Sequence, residues 1–283
     1  MLPSNVALVA TPDEVETSEL TAVAAALQVQ ANRDFGPLWN VSATVVAFTK
    51  LEDVPVGHWP IVVQRTIDNP DAEGYHTDHN QQPIAFVKYA DNWTLVASHE
   101  MVEMLADPFG RRLVPGPSVD PDPQRSADRV QYLVEACDPV QDPQFAYTIN
   151  GITVTDFITP QYHDPAGTSG ARYDFKGAIT APRQVLANGY ISWQDPVAGA
   201  WFQMTFFNGL RDVESIGLIS GADAALSPRE VLHARGGGSK LHRPPIPDIQ
   251  KQAIDRVRAG SIAASEAHAA RLKSYLAGIQ TTA

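Results

Sequence analysis

The sequence predicts an α+β fold: a mixed sheet with a helix that carries the candidate site, then a smaller β-rich part, then a C-terminal helix. Three observations predict it. A helical pattern near the N-terminus gives way to three short runs rich in β-branched and aromatic residues, and these lead into a second helical segment around His99. Past about residue 166, strand-like runs and turn residues dominate. From Asp248 onward the chain is Ala-rich, with apolar residues at helical spacing. The expected division is a metal-site domain over 1–165, a β-rich subdomain over 166–235, a Gly/Pro linker over 236–247 and a terminal helix over 248–283.

Residues 5–10 are a short apolar run and read as a strand. Thr11-Pro12-Asp13-Glu14 reads as a helix start, with Thr11 as cap, Pro12 in the first helical position and Glu14 completing a capping box. The apolar residues Val15, Leu20, Val23, Ala24, Leu27 and Ala31 carry that helix to about Asp34, where Gly36-Pro37 is expected to stop it. Strands are expected over 41–49, 60–67 and 83–89, the last with Pro83 at its first residue. Asp91 or Asn92 would cap the His99 helix, and Asp107-Pro108 ends it because a residue before proline avoids the helical region. The five prolines between 108 and 129 predict a loop. A strand over 132–137 follows, then a hairpin over 146–157 turning at Asn150-Gly151. Two more strands are expected over 190–193 and 201–207.

Composition narrows the function classes. The 44% hydrophobic content supplies a real core, and 283 residues suit one large domain or two modest ones. A net charge of −11 and the lack of a basic stripe argue against nucleic-acid partners. Cys137 is the single cysteine, so neither an intrachain disulfide nor a Cys-based zinc cluster can form. The N-terminus lacks the positive region and apolar core of a secretory signal, and no run has the length of a membrane span. A cytoplasmic protein without membrane partners is the expectation, with leaderless export and oligomeric state left open.

Residues 98–108, Ser-His-Glu-Met-Val-Glu-Met-Leu-Ala-Asp-Pro, carry the most chemistry. His99 and Glu103 stand four apart and share one helix face, with Glu100 beside them. This is the layout of the helix in zinc hydrolases, two ligands one turn apart and a carboxylate as general base, except that Glu103 stands where histidine is usual. The same letters also occur on solvated helix faces. Here Trp93, Leu95, Val96, Met101, Val102 and Met104 surround them, which predicts a buried helix whose acids need a cation. A further ligand is expected from Glu135 or Asp138, just past the long loop; Asp107, two turns on, is also the natural helix-end residue. His76 and His79 lie in a polar segment ahead of the 83–89 strand, and His76 or Tyr75 is a candidate to polarise a carbonyl or bind the ion. His163, beside Tyr162, is a further candidate of the same kind. His58, His233, His242 and His268 belong to no constellation and read as surface residues, and Cys137 reads as an inert buried thiol.

The order of elements and the His99–Glu100 pair resemble the upper half of a zincin metallopeptidase. The chain is also similar to a group of bacterial proteins sharing Gly-Tyr-His before a strand, Ser-His-Glu-x-x-Glu-x-x-x-Asp-Pro on a helix and Glu-x-Cys-Asp-Pro-Val after it. These appear here as Gly74 to His76, Ser98 to Pro108 and Glu135 to Val140. A more distant resemblance is to the plant exordium-like family. The likeness spans roughly residues 12–165. The zincin resemblance implies a zinc-dependent hydrolase acting on peptides or proteins. His99, Glu103, Glu135 and Asp138 would supply ligands, Glu100 would activate water, and His76 or His163 would steady the oxyanion. The 83–89 strand would be the edge that pairs with an extended peptide. An acidic ligand set makes bound water less acidic than an all-imidazole site would, and oxygen-rich ligation also admits calcium or manganese. Two other classes stay open: a non-catalytic binding or assembly protein with a structural metal or ion-pair cluster at these residues, and a glycosidase using Glu100 and Glu135.

Overall fold

Four apolar runs that alternate with crossover segments line up in parallel, as such runs do when both faces of a sheet are covered. The computed structural model describes residues 3–67, 72–79, 81–221, 223 and 226–236. Its first sheet holds β1 (Ser4–Ala10), β2 (Ala43–Phe48), β3 (His58–Gln64), β4 (Gly74–His79) and β5 (Gln82–Lys88), in the order β2-β1-β3-β5-β4. All pairings are parallel except β4 with β5. The fold is therefore α+β with a mixed sheet, as the sequence predicts. Among the described residues, no helix is long and apolar enough to cross a membrane.

The polar segment read as a loop is the strand β4. It pairs with β5 from Gly74–Val87 to His79–Gln82 and lies at the sheet edge. Strand β5, expected as the edge, is interior. Strand β4 shows no apolar alternation because the side chains it buries include His76 and Thr77, which meet Glu100 and Glu230 rather than an apolar core.

The first helix starts later than expected. Thr11 spends its amide and its hydroxyl on the Val63 carbonyl at the end of β3, and α1 begins at Thr17 (Thr17–Val29). The helix then widens into a π-helical stretch, Gln30–Phe35, and tightens again into α2 (Gly36–Trp39). Gly36-Pro37 does not stop it. Pro37 sits in the first turn of α2, where a missing N–H costs little, and the chain leaves only at Asn40, in the left-handed region. Gly36 is required by close approach: a Cβ there would lie 2.5 Å from the Val41 carbonyl oxygen and 2.7 Å from that of Ala31. The stretch buries Gln30 and Asp34; Gln30 donates to the Thr155 carbonyl and Tyr147 donates to Asp34.

Helix α3 (Trp93–Ala106) lies against β3, β4 and β5 on one side and the hairpin strand β9 on another, which explains why it is apolar nearly all round. Asn92 holds the N-cap position, but its side chain donates to Glu73 instead of capping. Asp107 ends the helix and accepts from the Arg112 amide.

A second, antiparallel sheet has the order β12-β11-β10-β7-β6 and contains β6 (Leu113–Pro117), β7 (Arg129–Leu133), β10 (Tyr190–Gln194), β11 (Ala200–Phe207) and β12 (Leu210–Leu218). Strand β6 falls inside the expected 108–129 loop. Pro115 and Pro117 are tolerated there because β6 is an edge strand paired only with β7. Strand β7 ends at Leu133, so Glu135 and Cys137 lie beyond it. Since β7 pairs with β10, strands from both sides of residue 165 share one sheet. The hairpin of β8 (Tyr147–Ile149) and β9 (Ile152–Val154) turns at Asn150 and Gly151, both with positive φ, as the sequence signal requires. Last among the described elements is α4 (Pro228–Arg235), which starts in a capping box of Ser227 and Glu230. The expected terminal helix over 248–283, and the linker beyond Gly236, lie outside the described residues. One core cluster runs from Val6 and Leu8 through Leu27, Met101 and Met104 to Tyr132, Trp193 and Phe202, joining both sheets.

Candidate metal centre

Helix α3 turns His99, Glu100 and Glu103 into the space between β4, the segment after β7, and α4. His99 Nε2 lies 3.4 Å from Glu103 Oε2 and 3.4 Å from Asp138 Oδ1. Asp138 starts a short 3-10 turn, Asp138–Val140, held in place because the preceding Cys137 amide donates to Glu103 Oε1 at 3.1 Å. Gly189 leaves room for that turn: a Cβ there would stand 2.7 Å from the carbonyl oxygens of Asp138 and Pro139. On the other side of α3, His76 of β4 puts Nδ1 3.3 Å from Glu100 Oε2 and Nε2 3.3 Å from the Asp107 carbonyl. Three overlapping trios have ligand atoms within 4.8 Å of one another: His76–Glu100–Glu103, His99–Glu103–Asp138 and Glu135–Asp138–His233.

One residue that sequence reasoning missed sits among them. Arg229 of α4 is 2% exposed and directs its guanidinium into the cluster. One terminal nitrogen meets the His76 ring; the other donates to Glu103 Oε2 and to Glu135 Oε2. Its backbone N–H donates to the Gly110 carbonyl at 3.3 Å. Next to it, Glu230 accepts from the Thr77 hydroxyl of β4 at 2.7 Å. The Ser-Pro-Arg-Glu sequence at 227–230 does carry a capping-box signature, so the helix start was legible. The target of its arginine was not.

The charges follow from these contacts. Burial raises the carboxyl of Glu100 to about 8, with His99 and Arg229 offsetting it in part. Burial also opposes ionisation of Glu103, but Arg229 and His99 outweigh it and hold this carboxyl well below the usual range. Glu135 has only Arg229 to balance burial and the repulsion of Glu103 and Asp138, so it is pushed well up. Asp138 is raised, chiefly by burial and Glu103. Burial works against a charged His99, yet Glu103 and Asp138 keep it well above its ordinary value. His76 is driven well down by burial and by Arg229.

The remaining sequence candidates fall elsewhere. His163 packs against Tyr132 and Tyr162; neither ring nitrogen has a hydrogen-bond partner among the described residues, and burial lowers it to about 4. Tyr75 points to the opposite face of β4 from His76, into a small cluster with Phe86. His79 closes β4 opposite Gln82. His233, read as a surface residue, is part of the third trio and lies 3.5 Å from the Tyr190 hydroxyl. Cys137 is a buried thiol, pushed well up by burial, in line with an inert role.

The donor set fits a small divalent ion. Tetrahedral ligands about 2.0–2.1 Å from zinc stand about 3.3 Å apart, which matches the two 3.4 Å separations around His99. Asp138 Oδ2 is buried without a hydrogen-bond partner among the described residues, a lone pair that a cation would use. Of this trio, only His99 reaches the surface appreciably, at 17% side-chain exposure against 1% and 2% for Glu103 and Asp138. The chain matches no protein-family model, no curated protein and no solved structure.

Proposed function

We propose that the chain is a zincin-like, metal-dependent hydrolase acting on peptide bonds, with His99, Glu103 and Asp138 as ligands and Glu100 as the general base. The observation that carries the reading is the spacing around His99: one imidazole nitrogen 3.4 Å from two carboxylate oxygens, with a third carboxylate one residue along the same helix. In this reading Asp138 completes the trio, and Glu135 stands behind it as a charge partner of Arg229. Zinc suits the set, and its oxygen content admits manganese or calcium.

A divalent ion bound there supplies Lewis acidity, which polarises a carbonyl and makes water easier to deprotonate. Glu100 does the proton transfer. In this role it accepts a proton from attacking water and returns it to the leaving amine. His76, 3.3 Å away, orients the Glu100 carboxyl. Edge strand β4 favours an extended peptide, which adds to a sheet by main-chain hydrogen bonds. The Glu100→Gln protein should retain the ion by elemental analysis and lose peptide hydrolysis by roughly 100-fold or more. His99→Ala should lose the ion. Full hydrolysis by Glu100→Gln overturns the assignment.

A second reading, a non-catalytic cluster balanced by ion pairs alone, draws on Arg229. A guanidinium already neutralises part of the acid charge at Glu103 and Glu135. Purified protein without stoichiometric metal, and indifferent to chelators in its melting temperature, would favour it.

A further inference from the structure

We propose that Arg229 is a built-in cation that shuts the metal centre, so that docking of α4 and binding of a divalent ion exclude one another. This rests on the metal reading above. The two cations compete for one atom. Glu103 Oε2 is the oxygen that faces His99 Nε2 at 3.4 Å, and it is also the oxygen that accepts from the Arg229 guanidinium. An ion ligated there would sit against a positive charge that is 2% exposed, where solvent screens little. The guanidinium also engages Glu135 and the His76 ring, so it spans the first trio and reaches the third.

Helix α4 is tied to the residues it covers. Its Glu230 accepts from Thr77 on the edge strand, and the Arg229 amide donates to the Gly110 carbonyl. Gly110 has φ +60°, and a Cβ there would lie 2.7 Å from Arg229 Cβ, so the chain is closely fitted at this point. Behind the cluster, Leu232 packs with Leu133, Trp201 and Ile216 of the second sheet. The helix therefore lies across the cluster with one end on β4, the edge that would meet an extended peptide. Moving α4 would free Glu103 Oε2 and uncover that edge in one step. The guanidinium also explains how Glu103 is buried as a carboxylate: with His99 it balances that charge, and it donates to Glu135, until an ion replaces it.

The test is calorimetric titration of metal-free protein with Zn²⁺ and Mn²⁺, for the wild type, Arg229→Met and Thr77→Val. Removing the competing cation should tighten binding on the order of tenfold in Arg229→Met. Thr77→Val, which loosens α4 without touching the cluster, should tighten it by a few-fold. Coupling is reciprocal, so adding Zn²⁺ to the wild type should speed hydrogen exchange of the α4 amides. If Arg229→Met does not fold, Thr77→Val and the exchange measurement decide the matter. Unchanged or weaker binding in the variants, or α4 amides that slow or stay constant with Zn²⁺, overturns the exclusion and leaves the metal reading standing. No binding by any of the three proteins overturns both.

Discussion

Glu103 is the residue on which the cluster turns: one of its oxygens faces His99 and Arg229, and the other accepts the Cys137 amide. Its place was legible in the sequence, because two ligand-type residues four apart on an apolar helix must share a face. Glu135 was legible as an acid in an apolar setting and Asp138 as its neighbour past the long loop, although only the fold assigns Asp138 to His99 and Glu135 to Arg229. Arg229 was not legible, since it lies 126 residues from Glu103 and no local pattern connects them. A second buried acid pair makes a residue-scale prediction. Asp156 and Asp174 are both 0% exposed, and burial, with the neighbouring Asp174 carboxyl, raises Asp156 from the usual 3.8 to about 8. A raised folded-state pKa gives stability that is fully present below about 4 and is lost as the pH rises to about 8. One proton held only by the folded state corresponds to about 1.4 kcal/mol per pH unit within that window. Asp156→Asn keeps an oxygen for the Phe157 and Lys176 amides, so denaturant titrations between about pH 5 and 7 should show its stability falling less steeply than that of the wild type. Parallel pH profiles for the two proteins would refute this.

At the scale of elements, most strand, hairpin and helix-end signals hold, while the Thr11 capping box and the Gly36-Pro37 stop do not, because Thr11 bonds Val63 and Pro37 fits the first turn of α2. The β-branched runs at β1, β2 and β3, the Asn-Gly hairpin and the proline that ends α3 each have a local physical cause. Strand β4 was missed because its residues, Gly-Tyr-His-Thr-Asp-His, show no apolar alternation, and its strand character comes from pairing with β5. Strand β6 was missed because prolines argue against any strand except an edge. The approach of β4 to α3 is set by Gly74, where a Cβ would stand 2.5 Å from Val96 Cγ1 and 2.9 Å from Glu100 Oε1. Gly74→Ala is therefore expected to force the strand off the helix and cost about 1–3 kcal/mol. Chemical denaturation checks this; a stability within a few tenths of the wild type would mean that β4 shifts freely.

For the whole molecule, the expected boundary near residue 165 meets a sheet that draws β6 and β7 from one side and β10, β11 and β12 from the other. Helix α3 adds a further link: Ser98 donates to the Leu95 carbonyl and accepts from the Thr155 amide, tying the helix to the chain just past the hairpin. With one core cluster crossing these elements, unfolding is expected to be a single cooperative event. Far- and near-ultraviolet circular dichroism should give coincident melting curves; two separated transitions would show that the sheets unfold independently.

The π-helical stretch Gln30–Phe35 has a consequence at this same scale, one of phase. Each residue of an α-helix turns the next by about 100°. The wide turn sets the angle at which Phe35 meets Phe157 edge-on and the Trp39 indole N–H reaches the Ile158 carbonyl. Deleting one residue there would restore regular winding and swing both aromatic rings round by that angle, with no core side chain altered. The joint between the N-terminal helix and the layer beneath it is thus fixed by a count of residues as much as by their chemistry.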